Sequence, residues 1–307
     1  MDNTLFFGNS LNRLSEKNIS WNQLLDKLKD IRKFENGNLP NTMIYERIML
    51  ERPDVEEDVL HDEFNVKETI SKLMDNIEPH EVYFKLFKSN FQNYITTNYD
   101  YAFINSIIDK QIINLPIIEH STEDVYSIRR LKEIKNTLEK KKNFWQIHGE
   151  IRKPASIMLG LDHYCGSIGK IDSYIKGWYN YIVDGEKIVQ PSIEEKFKSN
   201  SFNNSSWVEL FFNSNIHIVG FSLDYSEIDL WWIINKRARL KKSQNLRNLI
   251  KNKIIFYCNE IDDHKKGVLE SMDIEVRTIK LSKKKSKYLD FYSDLIKVFD
   301  KELQVSQ

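Results

Sequence analysis

Two short stretches carry side chains able to do chemistry near neutral pH. Thr96-Thr97-Asn98-Tyr99-Asp100 sets five hydrogen-bonding side chains in succession between the apolar residues Tyr94-Ile95 and Ala102-Phe103. An amide and a carboxylate where a buried strand should meet a helix are suited to holding a polar ligand. Asp100 ahead of "YAFINSII" is equally an ordinary helix cap, and one residue can serve both purposes, but five polar residues exceed what a cap requires. The second stretch is "NFWQIHGE", in which His148 follows Phe144, Trp145 and Ile147 and precedes Gly149. Imidazole is the natural base near neutral pH, and partial burial beside aromatics tunes it. The competing reading is a strand-end histidine bonded to backbone.

Small residues mark two further turns. Gly8-Asn9-Ser10, with Asn12 just beyond, follows the apolar run Leu5-Phe6-Phe7. Such a turn lets backbone N–H groups approach phosphate oxygens at the start of a helix, although a plain turn uses the same residues. Gly220-Phe221-Ser222-Leu223 follows "NIHIV", with Gly220 for close backbone approach and Ser222 as a hydrogen-bonding group. "CNE", with Asn259 at its centre, follows "IIFY" and is as readily a turn. His163 and Cys165 lack further partners and read as packing, and the remaining histidines stand outside any motif. Trp231 and Trp232, with Ile228 and Ile234, read as core on helical periodicity. The basic runs "NKRARLKKSQNLRNLIKNK" and "KLSKKKSK" read first as solvated faces, with nucleic acid or an acidic partner as the less favoured use.

The elements that must position these groups alternate along the chain. Strand character is expected at "TLFF", "NYIT", "QIINLPIIE", "NFWQIH", "ASIMLG", "NIHIV", "KIIFYC" and "IEVRTIKL". Helices are expected from Ser20, through the region of "TMIYERIMLE", "VKETISKLMDNI" and "EVYFKLFKSNF", over "EDVYSIRRLKEIKNTLEKKK", after "GFSL" and from about Tyr288 to Leu303. This order predicts an α/β fold with a mainly parallel sheet in one domain, 1–307. Its core falls at about 1–35, 91–160 and 214–307, with helical insertions at about 36–90 and 161–213. Ligands in such folds sit beyond the carboxyl ends of the strands, where all five polar clusters fall.

Composition narrows the classes. With 45 basic and 45 acidic residues, the zero net charge argues against a general polyanion binder. Two cysteines, Cys165 and Cys258, can form neither a disulfide scaffold nor a zinc site by themselves, so a reducing, cytoplasmic setting is expected. No apolar run approaches the roughly 20 residues that span a bilayer.

Taken in order, "FFGNSLNRLSEKNISWNQLL", "TTNYD", "IHGE" and "VGFSLDYSEIDLWW" resemble the sirtuin-like superfamily, in particular its bacterial defence branch and the abortive-infection protein H group. The resemblance spans most of the chain and implies a Rossmann-like sheet binding NAD. It implies that Asn98 sits beside the ribose carbon that loses nicotinamide, that Asp100 bonds the nicotinamide carboxamide, and that His148 accepts a proton from a ribose hydroxyl or water. Gly8, Asn9, Ser10, Asn12, Thr97 and Tyr99 would hold the cofactor; Gly220, Ser222, Leu223 and Asn259 would hold its adenosine side. Ser10 stands where the family usually has a second glycine. The four-cysteine zinc ribbon of the protein-deacylating members is absent, so protein deacylation is not expected, and no metal is. The implied activity is hydrolysis of NAD to nicotinamide and ADP-ribose in antiphage abortive infection, gated by homo-oligomerisation or a partner such as an ATPase. A non-catalytic NAD or ADP-ribose sensor is the alternative.

Overall fold

The computed structural model describes residues 1–29, 33–51, 59–108, 110, 113–120, 123–136, 141–183, 185–281 and 287–303. Strand β1 (Asp2–Phe7) opens the chain and is followed by a 3-10 turn at Asn12–Leu14. Helices α1 (Trp21–Lys29), α2 (Asn41–Leu50), α3 (Val59–Met74) and α4 (Glu81–Lys88) lead to β2 (Asn93–Thr96) and α5 (Ala102–Ile108). Next come β3 (Ile113–His120), β4 (Leu131–Asn136) and β5 (Lys141–Gln146), then α6 (Leu161–Lys176) and a separate hairpin of β6 (Asn180–Val183) with β7 (Glu186–Val189). The chain ends with α7 (Ile193–Ser199), α8 (Trp207–Asn213), β8 (Ser214–Val219), α9 (Ile228–Lys242), β9 (Ile254–Cys258), α10 (Asp263–Ser271), β10 (Ile274–Thr278) and α11 (Lys287–Leu303).

Eight strands form one sheet in the order β10-β9-β8-β1-β2-β5-β4-β3. The six from β10 to β5 are parallel, and β4 and β3 close one edge in antiparallel pairing. The α/β, mainly parallel fold read from the sequence is therefore present, with helices on both faces. Alternate residues of each strand point to opposite faces. Leu5, Phe7, Tyr94 and Phe144 join α1, α2, α4, α5 and α11 in one buried cluster; Phe6, Ile95, Trp145, Ile216 and Ile218 join α6, α8 and α9 in another. Burial on both faces is why these strands read as unbroken apolar runs.

From β1 the chain moves outward through β2 to β5, then returns to place β8 on the other side of β1 and continues to β9 and β10. The direction of travel reverses between β1 and β8, so their carboxyl ends diverge into a crevice. That reversal positions the site.

Several expectations fail for physical reasons. The charged run at 123–142 is not a helix: its described part forms β4 and the start of β5. Its charges pair across the sheet edge, Lys141 with Glu133 at 2.6 Å and buried Lys132 with Glu150, while Ile134 points inward. Residues 137–140 lie outside the described residues. "ASIMLG" makes no strand; Pro154–Ser156 form a 3-10 turn, and Met158 N–H folds back to donate to the His148 carbonyl at 2.9 Å. On α9, Leu230, Ile233 and Ile234 are buried, whereas Ile228, Trp231 and Trp232 are only half-buried. Trp231 and Trp232 still pack against the core from its margin, and Trp231 also stacks on Tyr225 and donates to the Asp224 carbonyl. Pro116 lies on the edge strand, where pairing with β4 is interrupted between Asn114 and Ile118. The segment "KLSKKKSK" falls largely outside the described residues. No helix among the described residues is long and apolar enough to cross a membrane.

The far end of α9 is anchored by Arg237. Its fully buried guanidinium donates to the Asn252 side-chain oxygen, the Asn252 carbonyl and Asp273. Asn252 in turn donates to the carbonyls of Phe211 and Ser214, at the entry to β8. Arg237→Ala leaves these acceptors buried and unmatched, and the expected loss is about 3–5 kcal/mol in urea unfolding. A loss under about 1 kcal/mol would show that the anchor is dispensable.

Candidate active site

The loops leaving β1 and β8 touch. Gly8 N–H donates to the Val219 carbonyl at 3.4 Å and Ser10 N–H to the Gly220 carbonyl at 3.1 Å. A Cβ on Gly8 would lie 2.5 Å from the Phe221 ring, and Gly220 has φ +58°. Above them opens a cavity of about 810 Å³, lined by Asn9, Ser10, Gly220, Ser222, Glu227 and Asn259 among others. That size accommodates a nucleotide-scale ligand. The turn after Ser10 is 3-10 rather than α-helical. Helix α1 starts at the cavity, capped by reciprocal bonds between Ser20 and Gln23. Ser20 and Trp21 line the same cavity.

Beneath the first loop lies a closed polar network. Asp100 accepts from Ala102 N–H at 2.9 Å, capping α5, and from the Asn12 amide at 2.6 Å. Asn12 also donates to Asn9 and accepts from the Tyr83 hydroxyl, while Asn9 donates to the Ile19 carbonyl at 3.0 Å. Burial pushes the Asp100 carboxyl above its ordinary range, against the bonds from Ala102 and Asn12. Both Asp100 oxygens are therefore occupied by protein partners. Its place is the helix cap and the loop brace, not the cavity wall facing a carboxamide. The Asn98 amide donates to the Gly8 carbonyl at 3.4 Å. The Tyr99 hydroxyl donates to the Met158 carbonyl, and Thr97 is buried.

His148 belongs to a different cluster. Its Nδ1 lies 3.3 Å from Glu227 and its Nε2 3.2 Å from Asp229, and the Tyr164 ring packs edge-on against it. The Tyr164 hydroxyl donates to Glu227 at 3.2 Å and the Ser167 hydroxyl to Asp229 at 2.9 Å. Burial disfavours the charged imidazole, but the carboxylates of Asp229 and Glu227 outweigh it and raise the His148 pKa. Burial likewise pushes Glu227 up to about 7, with His148 opposing and Asp229 reinforcing. The cluster thus retains a proton near neutrality. Its donor set is also that of a metal site, the described ligand atoms lying within 4.8 Å of one another. The two carboxylates meet opposite nitrogens of the ring, which is the arrangement of a hydrogen-bonded clamp.

The structure therefore sorts the expected residues into three groups. Asn9, Ser10, Gly220, Ser222 and Asn259 line the cavity; Gly8, Asn12, Thr97, Asn98, Tyr99 and Asp100 build the layer behind the first loop; Leu223 is fully buried at φ +48°. His148 does not line the cavity and meets it only through Glu227. His148 and Asn98 end neighbouring strands, joined by Ile147 N–H to the Thr96 carbonyl at 3.0 Å, but have no hydrogen-bond partner in common. Glu227 and Asp229 escaped sequence reading because acidic residues at a helix start are ordinary. Their signal was a Glu-x-Asp pair, Glu227 and Asp229, shortly after the Gly-x-Ser-Leu turn that ends at Leu223. Lys265 was missed as well: it donates to the carbonyls of Ser222 at 2.5 Å and Leu223 at 3.0 Å, and so holds the second loop. His163, read as packing, accepts from the N–H groups of Leu159 and Gly160 and pairs with Glu63. No family model matches the chain, and no curated protein matches it.

Two outcomes follow from this geometry. Gly149 has φ +105°, and a Cβ there would lie 2.3 Å from the Ser156 carbonyl oxygen. The glycine after His148 is thus required by the returning chain, and Gly149→Ala should lower stability by at least about 2 kcal/mol in denaturant titration. An unchanged midpoint would refute this. The second outcome concerns pH. Because Glu227 holds its proton more tightly when folded, its contribution is full below the ordinary carboxylate range and is lost as pH rises through about 7; His148, also raised, contributes fully below the ordinary imidazole range and loses that contribution above it. Unfolding midpoints of the wild type between about pH 5 and about pH 8 should fall more steeply than those of Glu227→Gln, and parallel profiles would contradict the assignment.

Proposed function

We propose that the chain binds NAD in the crevice between β1 and β8 and hydrolyses its nicotinamide–ribose bond, releasing nicotinamide and ADP-ribose. The observation that carries this reading is the cavity itself. It begins at two loops of small residues and reaches Glu227, behind which His148 is clamped. Breaking the glycosidic bond builds positive charge on the ribose carbon, which carboxylates beside it stabilise. Glu227 and Asp224 line this cavity. A water adding to that carbon must lose a proton, and in this reading Glu227, which lines the cavity and is backed by His148, accepts it. The electron pair of the broken bond neutralises the departing nicotinamide ring. The Asn98 amide, one bond from the Gly8 carbonyl, orders the strand end beside this path.

The order of the four motifs supports the same activity by its resemblance to sirtuin-like defence proteins, and the role in abortive infection rests on that resemblance. The closed state of Asn98 and His148 agrees with gating: a second copy of the chain or a partner protein, such as an ATPase, would have to open the Glu227 side. The second reading is a sensor that binds NAD or ADP-ribose without turnover. It is favoured by the same burial, and by the Ser10 hydroxyl bonded to the Tyr292 hydroxyl at 2.7 Å in place of a ligand.

Incubation of purified protein with NAD, alone and with candidate activators, separates the two. The hydrolase releases nicotinamide, and His148→Ala slows release by about 10²-fold or more. Saturable NAD binding with no nicotinamide under any condition would leave the sensor.

A further inference from the structure

The guanidinium of Arg13 borders the cavity without a partner. Arg13 belongs to the 3-10 turn that follows the first loop, its backbone N–H donating to the Ser10 carbonyl at 3.3 Å. Its side chain lines the cavity, and its Nη1 is buried with no acceptor. Among the described residues it makes no hydrogen bond or ion pair. Arg237 is matched by Asn252 and Asp273, and Arg130, whose Nε also lacks an acceptor, still pairs with Glu150 and donates to the Glu123 and Asp124 carbonyls. A buried charged donor without an acceptor costs about 1–3 kcal/mol, and Nη1 of the half-buried Arg13 is such a donor.

The other cations of the cavity wall are either committed or exposed. Lys265 is committed to the carbonyls of Ser222 and Leu223. Asp224 accepts from the N–H and hydroxyl of Ser226, and Asp262 caps α10 by accepting from Lys265 N–H. Neither acid, nor Glu227 or Glu260, pairs with Arg13, although all four line the cavity. Lys287, exposed at the start of α11, is the remaining cation on the wall. A planar guanidinium with several donors suits two oxygens of a phosphoryl group.

We propose that Arg13 is an anion seat in this cavity, binding the diphosphate of a nucleotide. The proposal rests on the reading of the cavity as a nucleotide site but not on hydrolysis.

Calorimetric titration of the full chain with ADP and with adenosine tests it, comparing wild type and Arg13→Gln. The expected result is tighter binding of ADP than of adenosine by the wild type, with ADP weakened about tenfold or more by the substitution and adenosine little changed. The unliganded variant should melt at or above the wild-type temperature, because an unmatched buried charge has been removed. Equal ADP affinity in the two proteins would overturn the proposal, as would a wild type that binds ADP no better than adenosine. Arg13-dependent ADP binding without nicotinamide release from NAD would leave the anion seat standing and remove the hydrolase. Nicotinamide release with ADP affinity indifferent to Arg13 would do the reverse.

Discussion

Two carboxylates holding one buried imidazole are the constraint around which the site is organised. His148 comes from the end of β5, while Glu227 and Asp229 come from the start of α9, on the far side of the β1–β8 reversal. Their attraction ties the two halves of the sheet together at its carboxyl edge. It is possible because Gly149 lets the chain leave β5 at a backbone angle other residues rarely adopt, and because Met158 and Ser156 close the return. Desolvation opposes every charge in this cluster, and the hydroxyls of Tyr164 and Ser167 supply compensating bonds.

The same economy of polar groups explains the loop from β1. Asn12 is fully buried, and its amide bonds Asp100, Asn9 and Tyr83, drawing groups from β1, α4 and the β2–α5 junction into one brace. The loop is therefore rigid from below and faces the cavity from above. The Ser10 hydroxyl meets the Tyr292 hydroxyl of α11. Helix α11 thus shapes the cavity wall, which its Tyr288 and Phe291 line.

Much of the sheet was legible in the sequence, because strands buried on both faces appear as short apolar runs and each ends in a polar turn. The "TTNYD" stretch showed the limit of that reading. Its polarity was recognised, but residue types alone do not say which groups face a ligand and which brace a neighbouring loop, and Asp100 turned out to do the latter. The strand at 131–136, and the two lysines that open the strand at 141–146, were obscured by charges that looked helical but pair across an antiparallel edge. Glu227, Asp229 and Arg13 were invisible for a different reason. Each is an ordinary residue in its local element, and only the tertiary fold reveals that one faces the cavity, one clamps the imidazole and one lacks a partner.

The central claim is that the crevice between β1 and β8 receives a dinucleotide and delivers its reacting ribose to the Glu227–His148 pair. A crystal structure of the protein with ADP-ribose tests it most directly. The account predicts the diphosphate against the Gly8–Ser10 loop and the terminal ribose within hydrogen-bonding distance of Glu227. A ligand seated elsewhere, or one in this crevice with its terminal ribose turned to solvent, would contradict it.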